Sequence, residues 1–162
     1  MGKMIFEEKQ YFRQWWVWLI VILGFAANSY AFIQNESSAE TFTITSIVFL
    51  LFVLLIFNVH LSSRIDEKGI HIKFFPLHFS FITYTWDQIK SVEFKKYSPI
   101  LDYGGWGVRI SLNGKGKAFN VSGSKGIYIQ TQDDRKRMIG TQKENEVKAV
   151  LEEYKRKNPS NL

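Results

Sequence analysis

WWVWLIVILGFAANSYAFI, the sequence from Trp15 to Ile33, contains no charged residue. At about 1.5 Å per residue, a helix of this length covers roughly 28 Å, which is close to the hydrocarbon thickness of a bilayer. A second uncharged run, TITSIVFLLFVLLIFNVHL, occupies residues 43–61. A helix that is apolar on every face for so long is typical of a membrane span, so the sequence predicts transmembrane helices at 15–33 and 43–61.

The segment between the two runs, residues 34–42, is short and polar and contains no Lys or Arg. It predicts a tight extracytoplasmic turn that joins two antiparallel helices. Basic residues lie outside the pair of helices, at Lys3, Lys9, Arg13, Arg64, Lys68 and Lys73. By the positive-inside rule, residues 1–14 and residues 62–162 are expected in the cytosol, and the protein is expected in the inner (plasma) membrane.

Three tryptophans, Trp15, Trp16 and Trp18, stand where the first helix should meet the cytosolic interface. Amphipathic aromatic rings favour that layer, so these side chains are predicted to be interfacial anchors. A cleaved signal peptide that ends near Ala27 or Ala31 is the competing interpretation. It is less favoured because a second span of matching length follows at once.

The composition limits the chemistry that the chain can perform. Because the chain has no cysteine, it has no disulfide, no thiolate nucleophile and no Cys-ligated metal centre. The segment from Ser62 onward holds 18 Lys and Arg against 11 Asp and Glu, a net charge of +7. Such a surface suits anionic lipid headgroups or acidic proteins. Nucleic acid is not expected as a partner, because no stacking motif or recognition helix accompanies the charge.

The pattern changes to period two at Ile70, and short alternating runs then follow one another, separated by turn signals such as Asn113-Gly114. They predict about seven short strands in an antiparallel arrangement. Thr141 and Glu144 form a T-x-x-E capping box for an amphipathic helix at about 142–157. The expected fold is a membrane-anchored α+β protein, in which a two-helix transmembrane hairpin precedes an antiparallel β-barrel or sandwich that the C-terminal helix caps.

Three segments carry a resemblance to a known group of proteins: SRIDEKGI at 63–70, ITYTWDQI at 82–89 and YGGWGVR at 103–109. They look like the corresponding parts of small bacterial membrane proteins with a pleckstrin-homology-like (PH-like) domain. The resemblance covers the cytosolic half of the chain and includes the preceding helix hairpin. It implies a PH-like fold of about seven strands and one C-terminal helix. It implies no established activity, because PH-like domains serve many unrelated roles.

No catalytic or cofactor-binding constellation is recognisable in the sequence. The spacing of His60, His71 and His78 puts no two of them on one helical turn or one tight hairpin, so no metal site is expected. The glycines within residues 102–107 lack the Lys, the Ser or Thr and the following helix of a phosphate loop. A sharp turn explains them better, with Trp106 either packed on the domain or exposed as a contact residue. The chain is therefore predicted not to be an enzyme and to need no cofactor.

The remaining candidates for a functional surface are basic clusters and one tryptophan. The candidate membrane or partner contacts are Lys95, Lys96, Trp106, Lys115, Lys117, Arg135, Lys136 and Arg137. Generic surface charge is the alternative for the basic residues, since domains tethered to an anionic membrane tend to be basic. The expected function is that of a non-enzymatic interaction module that binds a protein partner, anionic lipid headgroups or a second copy of the chain. The alternative is an accessory subunit of a membrane enzyme or transporter, docked through its helical hairpin.

Overall fold

The computed structural model describes residues 6–34 and 38–157. The chain divides into two compact units: a helical unit, Tyr11–Val59, and a β-rich unit built from the residues on either side of it. Lys3 and residues 35–37 of the predicted turn lie outside the described residues.

The helical unit consists of two long helices, α1 (Trp15–Ile33) and α2 (Ala39–Asn58). The side chain of Ser38 caps the start of α2. The backbone becomes extended at Val59, so this helix begins and ends earlier than the predicted 43–61. Both helices are long and apolar enough to cross a membrane, which confirms the predicted pair of long apolar helices.

The two helices contact each other through polar and aromatic side chains. The Asn28 amide donates to Ser46 Oγ at 3.2 Å, and the Thr45 hydroxyl donates to Asn28 Oδ1 at 2.8 Å. Phe32 stacks on Phe42 with the ring centroids 4.5 Å apart. These polar side chains therefore find hydrogen-bond partners within the helix pair.

The β-rich unit contains nine strands, two α-helices and one 3₁₀ turn (Trp86–Gln88) among its described residues. The strands are β1 (Phe6–Tyr11), β2 (His60–Ile65), β3 (Gly69–Phe75), β4 (Ile82–Thr85), β5 (Ile89–Lys96), β6 (Gly107–Ile110), β7 (Lys117–Asn120), β8 (Lys125–Thr131) and β9 (Lys136–Gly140). The helices are α3 (Pro99–Tyr103) and α4 (Glu144–Lys157). Hydrogen bonding gives a four-stranded sheet in the order β1-β2-β3-β4 and a five-stranded sheet in the order β5-β8-β9-β7-β6. The predicted α+β organisation, with two apolar helices, β-sheets and a C-terminal helix, is confirmed.

The sequence predicts no strand in residues 1–14, but Phe6–Tyr11 forms β1 and pairs with β2. Its side chains alternate, with Phe6, Glu8 and Gln10 buried. Polar residues at two of these three inward positions conceal the strand from a hydropathy pattern. Because β1 and β2 are neighbours in one sheet, the helical unit is an insertion between two paired strands.

Two further expectations about the sheets are wrong. The domain that follows the helices has eight described strands, β2–β9, rather than about seven, and the pairing is not antiparallel throughout. β7 and β9 are parallel, with Lys117 opposite Arg137 and Phe119 opposite Ile139. β8 forms a hairpin with β9 and also pairs with β5, so the free side of β9 is left for β7. Turn signals in a sequence indicate which consecutive strands form hairpins, but they do not indicate that β7 pairs with β9 across the intervening β8.

α4 packs on β5 and β8 through one apolar face. Val147, Leu151 and Tyr154 are buried on this face, and the Tyr154 ring stacks on Trp86 with the centroids 3.6 Å apart. Burial of large apolar side chains contributes about 1.5–3 kcal/mol each. The helix is therefore an integral part of the hydrophobic core.

The predicted capping box of Thr141 and Glu144 is wrong. Glu144 is the first residue of α4, and its carboxylate forms a salt bridge with Lys125 on β8. The Thr141 hydroxyl donates to the Glu8 carboxylate at 2.6 Å, and the same carboxylate accepts the Gln142 N–H at 2.9 Å. A buried carboxylate from β1 therefore holds the start of α4, where negative charge is favourable.

Candidate interaction surfaces

The predicted basic contacts are divided between the two ends of the five-stranded sheet. Lys95 and Lys96 end β5 at the point where β8 begins. At the other end of the sheet, Lys117 and Arg137 lie opposite each other near the starts of β7 and β9. The other predicted cations at that end are Lys115, Arg135 and Lys136. The structure therefore does not gather the predicted contacts into one surface.

Several of these cations are paired with carboxylates close to them in the chain or the fold. Lys95 Nζ lies 2.8 Å from the carboxylate of the glutamate two residues before it. Lys115 Nζ lies 2.6 Å from Asp102 Oδ1, and Arg135 forms a salt bridge with Asp133. Exposed pairs of this kind add little stability. Each of them nevertheless neutralises a cation that would otherwise be attracted to an anionic membrane.

The remaining predicted cations differ in their surroundings. Arg137 Nε donates to the Tyr84 hydroxyl at 3.1 Å, so the guanidinium ties β9 to β4 of the other sheet. Its Nη1 also donates to the Lys136 carbonyl at 2.8 Å. Lys96, Lys117 and Lys136 are the predicted lysines that have no carboxylate within salt-bridge distance in the described part of the chain.

Trp106 is half-buried and lies at the Lys95 end of the sheet. Its indole N–H donates to the Gly123 carbonyl at 3.2 Å, and its own carbonyl accepts a hydrogen bond from Arg109 Nε at 3.1 Å. Gly104, with a φ of 72°, ends α3 in the left-handed conformation that glycine tolerates best. The glycines near Trp106 thus form a helix end and a strand entry, and not the start of a helix that a phosphate would need.

The predicted anchors Trp15, Trp16 and Trp18 lie at the start of α1. Trp18 contacts Phe57 of α2 edge to face, with the centroids 6.5 Å apart, and Trp16 contacts Phe12 in the same way at 6.2 Å. These two ring pairs lie at the end of the helix pair where the chain enters α1 and leaves α2.

The histidines do not share a site. His71 bridges Asp66 and Thr83, with its ring nitrogens 3.0 Å and 2.9 Å from their oxygens. Burial acts to raise the pKa of Asp66, but hydrogen bonds from His71 and a backbone N–H outweigh it and hold this pKa below its ordinary value. His60 stacks on a ring of β3, whereas the His78 ring lies against the core. No group of three His, Asp or Glu residues in the described ranges is placed to hold a metal ion.

An apolar groove, which the sequence pattern does not predict, lies between α3 and β6. Its volume is about 530 Å³, comparable with that of many binding sites. Leu101, Ile110 and Leu112 line it and are 79%, 73% and 100% exposed. β6 is the outer strand of its sheet and pairs only with β7 among the described strands. The groove therefore runs beside a free strand edge.

Hydrogen bonds around Asp102 hold the groove in shape. One carboxylate oxygen of Asp102 accepts from Lys115 Nζ, and the other accepts the Ser98 N–H at 2.8 Å. The bond from Lys115, and then that from Ser98, lower the pKa of this carboxyl. The Tyr103 hydroxyl donates to the Lys115 carbonyl at 3.2 Å, and burial raises the pKa of Tyr103 to about 12. These contacts join α3 to the β6–β7 turn, so hydrogen bonds within the domain connect the two walls of the groove.

The sequence contains a weak signal for this groove. The alternation through Ile110 and Leu112 predicts a strand whose apolar face packs on the core, whereas the structure leaves that face open and buries Ser111 instead. The informative feature is the pair Ile100-Leu101 just after a proline in a short polar connection. A helix this short cannot bury two adjacent large apolar side chains in the core, so at least one of them stays on the surface.

No protein-family model matches the chain, and no curated protein or solved structure matches it.

Proposed function

We propose that this protein is a non-enzymatic, membrane-anchored interaction module whose β-rich unit binds an extended protein segment in the groove between α3 and β6. One observation carries the proposal, the close grouping of Leu101, Ile110 and Leu112 as exposed side chains. Soluble domains rarely expose several large apolar residues side by side unless the surface binds something. Nothing in the described part of the chain covers them.

The free energies expected for the two kinds of contact favour this groove over the basic residues as the main binding surface. Burial of a large apolar side chain contributes about 1.5–3 kcal/mol, whereas a lysine near an anionic leaflet contributes about 1 kcal/mol. At the end of the five-stranded sheet where β7 and β9 begin, Lys117 and Lys136 are the predicted lysines that have no carboxylate within salt-bridge distance among the described residues. Headgroup binding at those two lysines is therefore a secondary contact.

The proposed occupant is an extended apolar segment of a protein in or beside the same membrane. The free edge of β6 offers unpaired backbone groups that an added strand pairs with, while the groove takes alternate side chains of that strand. Arg109 lies on the groove wall, and the domain carries a positive net charge. Acidic residues beside the apolar segment would complement that charge.

The arrangement of β1 and β2 supports an anchor with both ends on one side of the membrane. Neighbouring strands of one sheet lie on the same side of any bilayer, so if one of the two helices inserted between them crosses the bilayer, the other must return. The basic residues Lys9, Arg13 and Arg64 flank the insertion. The positive-inside rule then gives cytosolic termini. A location in the inner (plasma) membrane of a bacterium is part of the proposal through the resemblance of the sequence to small bacterial membrane proteins.

A PH-like identity for the β-rich unit is part of the same proposal. Two mainly antiparallel sheets followed by one packed C-terminal helix support it. The parallel pairing of β7 with β9 and the strand contributed from before the helices depart from a simple succession of hairpins. PH-like domains serve many roles, so the fold alone assigns no ligand.

The test places a photoreactive amino acid at position 112 of the full-length protein in its native membrane. We expect a crosslink to a second protein that is lost in Ile110→Asp, which removes apolar contact without disturbing the core because Ile110 is exposed. The same probe at Gln132, on the exposed β8–β9 turn, is the matched control. A crosslink to lipid alone, or one that persists in Ile110→Asp, would contradict the groove assignment. A crosslink to a second copy of the chain would show that the groove binds this protein itself in a homo-oligomer and not a separate partner.

The accessory-subunit alternative gives a different result in the same variant. If the partner docks through the apolar surfaces of α1 and α2, it should copurify equally with the parent chain and with Ile110→Asp. Deletion of the β-rich unit should then leave the association intact. Loss of copurification in both variants is the outcome that the groove predicts.

A further inference from the structure

The connection between β3 and β4, residues 76–81, is a second exposed apolar feature and is distinct from the groove. Its sequence is PLHFSF and contains no Asp, Glu, Lys or Arg. Leu77 is 64% exposed, Phe79 is 78% exposed and Phe81 is 47% exposed. Three large apolar side chains on one short loop are unusual in contact with water.

The position of this loop in the sheet connects it with the membrane helices. β2 begins at His60, two residues after α2 ends at Asn58. His60 pairs in register with Phe75, the last residue of β3, and the two rings stack 5.4 Å apart. Because two residues span at most about 7 Å, the strand end that carries the loop is never far from the end of α2. The start of the loop is therefore tied to the end of α2 through one strand pair and a two-residue connection.

Contacts inside the β-rich unit hold the loop in one shape. The His78 N–H donates to the Phe74 carbonyl at 2.8 Å, which closes a turn. The His78 ring lies against Phe119 of the other sheet, with the centroids 5.9 Å apart. Phe79 contacts Phe75 edge to face at the same separation. His78 therefore fastens the loop on its inner side, and Phe79 stays exposed on the outer side.

We propose that this loop inserts Leu77, Phe79 and Phe81 into the interfacial layer of the bilayer that α2 enters. Large aromatic and aliphatic side chains gain free energy at that depth. Lys73 Nζ lies 6.0 Å from the Phe81 ring centroid, and its long stem lets the ammonium group reach lipid headgroups while the ring enters the apolar layer. We expect lipid rather than a protein to cover the loop, because the loop follows Phe75, which pairs with His60 just after the end of the predicted membrane span.

The test uses the absence of cysteine from the natural chain. Phe79→Cys and Leu77→Cys are introduced separately in the full-length protein, labelled with an environment-sensitive fluorophore and reconstituted into vesicles of phosphatidylcholine and phosphatidylglycerol. Leu112→Cys is the matched control, since Leu112 is also an exposed leucine but lies beside the groove. Cooperative thermal unfolding at the same temperature as the parent protein verifies that each variant is folded.

We expect blue-shifted emission from positions 77 and 79, with quenching by a spin label on the lipid chains and severalfold weaker quenching by aqueous iodide than at position 112. Equal iodide quenching at positions 79 and 112 would overturn the proposal, because the loop would then lie in water. Protection from both quenchers would overturn it as well, because a second protein copy would then cover the loop. Agreement between positions 77 and 79 guards against a local effect of one label.

Discussion

At the scale of single residues, Glu8 links the first strand of the chain to the start of its last helix. Its carboxylate is buried and accepts hydrogen bonds from the Thr141 hydroxyl and the Gln142 N–H. Gln10, on the same face of β1, donates to the Gly140 carbonyl at 2.8 Å. Two polar residues near the N-terminus thus bind a segment about 130 positions away.

We expect Glu8→Ala to lower the free energy of unfolding of the β-rich unit by about 2–3 kcal/mol, because the loss leaves buried donors without an acceptor. Glu8→Gln should cost less, since an amide oxygen still accepts one bond. The control is Glu7→Ala, whose side chain is exposed on the other face of β1 and whose effect should stay within about 0.5 kcal/mol. Chemical denaturation of the full-length protein in detergent measures all three, and equal losses for Glu7 and Glu8 would contradict this role.

Glu144 gives a prediction about acid stability. Hydrogen bonds from Lys125 and then from Lys148 lower its pKa from 4.5 to about 2. A carboxyl with a lower pKa in the folded state stabilises the fold above the unfolded pKa, and this contribution is lost as the pH falls through the folded one. We expect the stability of Glu144→Gln to fall less steeply than that of the parent between pH 4.5 and about 2. Lys125→Gln should likewise make stability depend less steeply on pH over this range. An unchanged slope in both variants would show that the Lys125–Glu144 ion pair is not responsible.

At the scale of secondary structure, the insertion of the helices between β1 and β2 defines which part of the chain can fold alone. A fragment of residues 62–162 lacks β1 and begins inside β2. It therefore loses Phe6 and Leu61, which are among the most buried side chains of the core. Their burial contributes about 1.5–3 kcal/mol each, a large part of the stability of an ordinary domain.

We predict that residues 62–162 alone will not unfold cooperatively, whereas residues 6–11 joined by a short turn to residues 60–162 will form a soluble, folded domain. The turn replaces the helical unit at the point where the two strands already meet. Amide dispersion in NMR spectra and cooperative thermal unfolding distinguish the two chains. Equal stability of both would mean that β1 is not part of the core.

The elements that the sequence predicts well are those whose partners are water, lipid or a near neighbour in the chain. The apolar stretch of α1 and the alternation through Ile70 and Ile72 are local patterns. β1 escapes prediction because Glu8 and Gln10 face inward and find hydrogen-bond partners only in the folded protein. The parallel pairing of Lys117 with Arg137 is likewise a product of the whole sheet.

At the scale of the whole molecule, the proposed functional surface differs from the one that charge patterns indicate. Basic residues are visible in a sequence, but their carboxylate partners are not, and Lys115 with Asp102 is an example. The groove depends on β6 being the last strand of its sheet, which alternation cannot reveal. Ile110 and Leu112 therefore look like core residues in the sequence and lie on the surface in the structure.

We propose that one β-rich unit is held at one face of a membrane by a helical hairpin inserted between two of its strands. Single cysteines at Glu7, Gln132 and Glu40, all exposed positions, test it in sealed membrane vesicles with an impermeant maleimide. We predict that positions 7 and 132 react only when the cytosolic face is accessible, and that position 40 reacts only from the opposite face. Labelling of positions 7 and 132 from different faces, or of position 40 together with them, would contradict the account.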